Sequence, residues 1–78
     1  MSRSQTALAV ISEIKAQMAR RDVTATRLAA GIGISRGTVG RFLRGESCLD
    51  LDLVEDIADF LGMDAFALID AAGANAVR

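Results

Sequence analysis

The stretch GISRGTVGRFLRG, residues 33–45, decides how this chain is read. Its apolar residues recur at helical spacing, yet Gly37 and Gly40 lie inside it, where each glycine costs about 1 kcal/mol relative to alanine. Arg36, Arg41 and Arg44 crowd the same short segment. At about 100° per residue, with Arg36 as origin, Gly40 falls at about 40°, Arg44 at about 80°, Gly37 at about 100° and Arg41 at about 140°. Val39, Phe42 and Leu43 fall on the other side, between about 240° and about 340°. One face is therefore apolar, and the other is arginine and glycine. A core accounts for the first face, and the second calls for something outside the protein.

Working outward, Ser35 is a natural N-cap and Gly45 a left-handed stop, which predicts a helix over 36–43. Thr24 caps a shorter helix over 25–31, with Leu28 and Ala29 as its inward residues, and the GIGI turn uses Gly33 for a positive φ. Further back, Ser4 caps a first helix over about residues 5–20, where Ala7, Val10, Ile11, Ile14 and Met18 recur on one side. Downstream, Asp50 caps a helix over 51–61 whose inward residues are Leu51, Val54, Ile57, Ala58 and Leu61, and Gly62 closes it. Asp50 and Asp52 suit the positive end of that helix dipole. Asp64 caps a fifth helix over 65–72, and GANAVR reads as a frayed tail. The expectation is a single all-α domain of five helices over residues 1–78.

Composition narrows the function classes. Hydrophobic residues make up 51% of 78, enough to fold, although a chain this short buries only about 60% of its unfolded surface. There is no proline to interrupt a helix, and no apolar run is long enough to cross a membrane. The N-terminus lacks the long apolar stretch of a secretory signal, so cytoplasmic residence, at the nucleoid, is expected. Cys48 stands alone and cannot form an internal disulfide. Without histidine, a zinc site or a histidine-based triad is not available. The carboxylates accompany no recognisable nucleophile or phosphate cradle. A binding protein without cofactor or metal is expected, rather than an enzyme.

The formal net charge of −1 conceals a division. Residues 15–45 hold seven basic residues against Asp22 alone, and residues 46–78 hold eight acids against Arg78 alone. Such a split suggests one face suited to an anionic partner.

The run TATRLAAGIGISRGTVGRFLRG resembles the helix-turn-helix of the lambda-repressor-like (Cro/C1, or Xre-type) DNA-binding domains. Leu28, Ala29, Gly33, Ser35, Val39 and Phe42 fit that pattern, and Gly45 and LDLDLVEDIADFLGM resemble the family's segment C-terminal to the motif, its fourth helix included. The likeness extends over about residues 8–70 and implies a compact five-helix domain with helices 2 and 3 as the motif. It departs at Ala25, commonly glutamine in the family, and at Leu49, often proline.

Such a domain places its second motif helix in the major groove of double-stranded DNA. Carried over, the resemblance implies base reading by Arg36 and Arg41, with Gly37 and Gly40 admitting close approach of the backbone or else relieving crowding against a neighbouring helix. Thr24, Ala25, Thr26, Arg27, Ser35, Arg44 and Ser47 become candidates for phosphate. For Arg44 a base contact is an equal alternative, and for Ser35 capping is. Arg20 and Arg21 would add charge nearby, and Arg3 would serve as an arm. The function implied is a transcription regulator, a phage-type repressor (phage immunity) on an operator with two half-sites, hence a homodimer on DNA. Phe66, Leu68 and Ile69 are candidates for the dimer contact, with core packing as the alternative. An antitoxin with a protein partner, or the N-terminal domain of a longer repressor, would use the same fold.

Overall fold

The computed structural model describes residues 5–47 and 50–76. Its elements are α1 (Gln5–Arg20), α2 (Ala25–Ile32), α3 (Arg36–Leu43), α4 (Leu51–Phe60) and α5 (Ala65–Ala76), an all-α arrangement. The cap expected of Ser4 and the arm expected of Arg3 lie outside the described residues, as do Cys48 and Leu49.

Local chemistry sets the helix ends. Thr24 Oγ1 accepts the Arg27 N–H at 3.1 Å, Ser35 Oγ accepts the Thr38 N–H at 3.1 Å, and Asp50 Oδ1 accepts the Asp52 N–H at 2.9 Å. Each satisfies an N–H that the helix itself leaves over. At the other ends, Gly33, Gly45 and Gly62 take φ values of +78°, +74° and +76°. Asp22, at φ +58°, ends α1 in the same left-handed conformation without being glycine. In α3 the Gly45 N–H donates to Phe42 O at 3.0 Å and the Glu46 N–H to Arg41 O at 2.9 Å, the paired bonds of a Schellman ending.

The core draws on every helix. Val10, Ile11, Ile14 and Met18 of α1 meet Leu28 and Ala29 of α2, Val39 and Phe42 of α3, Val54, Ile57 and Ala58 of α4, and Leu68 and Ala72 of α5. Helix α1 packs along α5 and also meets α3, while α2 bridges α3 and α4. This leaves α3 supported from below by α1 and from the side by α2.

Four expectations need correction. Leu51 is 66% exposed, not inward. The apolar periodicity of α4 runs one turn beyond the surface that Val54, Ile57 and Ala58 pack against. Helix α4 ends at Phe60 rather than 61, with Leu61 as its C-cap, and α2 extends to Ile32 rather than 31. Helix α5 continues through residues 73–76, read from the sequence as a frayed tail. Alanine dominates that stretch, and the single glycine, Gly73, costs too little to end a helix anchored by buried Leu68 and Ala72.

Two packing features were not foreseen. Glu13 and Gln17 are buried on the flank of α1, where the Gln17 amide donates to Glu13 Oε2 at 2.7 Å. Gly31 is a contact glycine: a Cβ there would lie 2.0 Å from Cε1 and 2.5 Å from Cδ1 of Phe60. Helix α2 thus seats its backbone against the Phe60 ring of α4. Although alanine is the better helix former by about 1 kcal/mol, Gly31→Ala is expected to destabilise, because overpacking of this kind costs about 1–3 kcal/mol. In a Phe60→Ala background the same change should become neutral or stabilising. Urea unfolding of the two single variants and the double variant measures that coupling.

Candidate nucleic-acid interface

The outer face of α3 is open as its periodicity requires. Val39 and Phe42 are each 1% exposed, whereas Arg36, Gly37, Arg41 and Arg44 all face solvent. Gly40 is half-buried. A shallow groove of about 400 Å³ lies over this face, lined by Ala25, Arg36, Gly37, Gly40 and Arg44. Two arginines and two glycines of the α3 segment therefore share one concavity with the first residue of α2. Arg41 is exposed but is not part of that lining.

Among the described residues no neighbouring helix requires either glycine. A Cβ on Gly37 would meet no atom within 4 Å, and one on Gly40 would meet only the Arg44 guanidinium, with Nη1 at 3.1 Å. Crowding against a neighbouring helix, the alternative explanation for these positions, applies to Gly31 and not to them.

The N-terminus of α2 borders the groove through Ala25. Thr24 Oγ1 takes the Arg27 N–H, and the Ala25 and Thr26 N–H groups have no intramolecular acceptor among the described residues. They point out of the positive end of the helix dipole, an arrangement that suits a phosphate. Thr26 and Arg27 are exposed beside them. Ser35 acts as the α3 cap, and its Oγ also lies 2.7 Å from Thr38 Oγ1. Ser47 is half-buried in the loop after α3.

The remaining cations are placed differently. Arg20 approaches Glu13 Oε2 at 4.0 Å, and Arg21 donates to the Gln17 side chain, so both lean back on α1. Arg44 forms a two-pronged pair with Glu46: Nε donates to Oε2 at 2.8 Å and Nη2 to Oε1 at 3.3 Å. The hydrogen bonds and charge of Arg44 hold the Glu46 carboxyl below the usual range, and Glu46 in turn raises the Arg44 pKa. Helical spacing alone did not announce this partnership. The run R-G-E, with a left-handed glycine between opposite charges, is the signal that would have found it.

Apart from Glu46, two acids of α4 mark another part of the surface. Asp56 and Asp59 line a second shallow groove with Gly31, Ile32 and Phe60, beside the C-terminal end of α2, whereas the arginine groove begins at its N-terminal end. Eight residues of helix separate these ends by about 12 Å. Of the dimer candidates, Phe66 is 81% exposed and Ile69 half-buried. Leu68 is fully buried in the core, and the expectation of a surface contact there is corrected. Helix α5 packs against α1 and α4, and Leu68 belongs to the core they share. Among the described residues no helix is long and apolar enough to cross a membrane, and no cluster of His, Cys, Asp or Glu could hold a metal ion.

Comparison with known proteins agrees with this geometry. The crystal structure of the clp gene regulator ClgR from Corynebacterium glutamicum is similar, with a TM-score of 0.83 at 19% identity, covering 92% of this chain and 77% of that one. No curated protein matches the sequence. A helix-turn-helix family model (HTH_3, the Cro/C1 type) matches residues 14–68, from the middle of α1 to the core leucine of α5. With the two motif helices, their caps and their turn all inside that match, the chain belongs to the helix-turn-helix family.

Proposed function

We propose that the protein is a sequence-specific DNA-binding transcription regulator, a repressor that places α3 in the major groove of an operator. The observation that carries this reading is the outer face of α3. Two glycines weaken an eight-residue helix with no neighbouring helix crowding either, only the Arg44 guanidinium lying close over Gly40, and they sit among arginines in a groove facing solvent. Close approach to base edges accounts for both features. Arg36 and Arg41 reach beyond that backbone, and a guanidinium can bond guanine O6 and N7 together. Thr24, Ala25, Thr26, Arg27, Ser35 and Ser47 would flank the bases and meet phosphates. The named relationship of ClgR to gene regulation is consistent with this role.

A two-fold operator needs two reading helices about 34 Å apart, and hence two copies of the domain. Phe66 is the strongest candidate for the contact between them, because a large aromatic ring at 81% exposure serves no core. Repression would result from occupying DNA that polymerase must enter.

Selection of bound sequences from random duplex DNA, repeated across salt concentrations, tests the reading as a whole; no enriched site and no salt dependence would refute it. Arg36→Ala and Arg41→Ala should each relax preference at one base position, by about 1–3 kcal/mol. Arg27→Ala should weaken all sequences alike and reduce the salt slope by about 1. Gly37→Ala separates binding from folding: thermal melting should show stability unchanged or raised by up to about 1 kcal/mol, while affinity for the selected site falls. Phe66→Ala should leave the melting temperature nearly unchanged and shift sedimentation on the full operator from two protomers toward one.

A further inference from the structure

Arg44 differs from the other arginines of the α3 face in being held. Its Nε and Nη2 both donate to the Glu46 carboxylate, which occupies one edge of the guanidinium. The other edge, Nη1 with the second N–H of Nη2, has no acceptor among the described residues. Nη1 lies over Gly40, within the groove that Arg36 and Gly37 also line.

The carboxylate is placed there by the backbone. Gly45 turns the chain with φ +74°, and the Schellman bond from the Glu46 N–H to Arg41 O brings residue 46 back beside the helix end. Both partners are more than half exposed, at 59% and 53% of their side chains, so the pair contributes little to stability. What it supplies is a preferred orientation for a long side chain whose ordering would otherwise oppose binding.

This arrangement discriminates between two targets. A phosphate attracts positive charge, and Glu46 offsets that charge on Arg44. A guanine edge requires two parallel N–H groups at a set position, which the remaining edge of a clamped guanidinium offers. We propose that Arg44 reads a guanine in the major groove and that Glu46 is the positioning residue that aims it. The assignment moves Arg44 from the phosphate contacts to the base-reading set, and it rests on the DNA-binding function proposed for the α3 face.

The test applies the same selection from random duplex DNA to the wild type, Arg44→Ala, Arg44→Lys and Glu46→Gln, with melting curves as a check on folding. At one guanine of the wild-type site, preference should fall by roughly five- to a hundredfold in Arg44→Ala. Arg44→Lys, which keeps the charge but loses the fork, should fail to restore it. Glu46→Gln should weaken the same preference several-fold and leave the other positions alone, which a merely structural role would not do. The assignment is overturned if Glu46→Gln strengthens binding to all sequences alike with a steeper salt dependence, or if Arg44→Lys behaves as wild type. A wild-type site whose preferences survive all three variants removes this assignment alone. A wild type that enriches no site removes the DNA-binding function and this assignment with it.

Discussion

Phe42 is the largest completely buried side chain among the described residues, and its burial fixes how α3 is turned about its own axis. An eight-residue helix has little more than two turns with which to resist rotation. With Phe42 and Val39 locked under α1 and α2, the arginines of α3 have only solvent to face. A rotation that brought an arginine inward would strand an unpaired charge in the core, at a cost of several kcal/mol. The orientation of the arginine–glycine face is therefore a product of the hydrophobic contact beneath it, and the two cannot be altered independently.

Helix ends carry unusual weight in so short a chain. In α2 and α3 the four leading N–H groups and four trailing C=O groups amount to half of each helix's backbone polar groups. Thr24, Ser35, Gly33 and Gly45 satisfy or redirect those groups, and they also bracket the proposed reading surface. Helix termination and the borders of that surface meet at the same four residues. The same kind of ending closes α4 at Gly62, where the Met63 N–H donates to Ala58 O at 2.8 Å. Asp22 shows that the conformation does not depend on glycine alone.

Much of this fold was legible in the sequence, because caps, stops and apolar spacing act locally. Thr24, Ser35 and Asp50 cap the helices expected of them, and Ile14, Leu28, Val39 and Ile57 are buried as their spacing requires. What spacing does not reveal is where the neighbouring helix ends. Leu51 keeps the period of α4 yet is 66% exposed, and Leu68 looks like surplus apolar surface until α5 packs against α1 and α4. The contact between Gly31 and Phe60 joins residues distant in sequence, and no local signal announces it. At the candidate site the arginines and glycines were visible as a face, whereas the hold of Glu46 on Arg44 depends on the path of the chain through Gly45.

The separation of charge between the two ends of α2 has a consequence for how the protein would find its target. With a formal net charge of −1, it gains almost no attraction to DNA as a whole body. Attraction begins only when the arginine groove comes within about 8–10 Å of the phosphates at moderate salt, the range beyond which ions screen the field. At that distance the Asp56 and Asp59 end is pushed away while the groove is drawn in, which applies a torque rather than a simple pull. Such a molecule would leave most wrongly oriented encounters quickly and spend little time on DNA that its groove does not face.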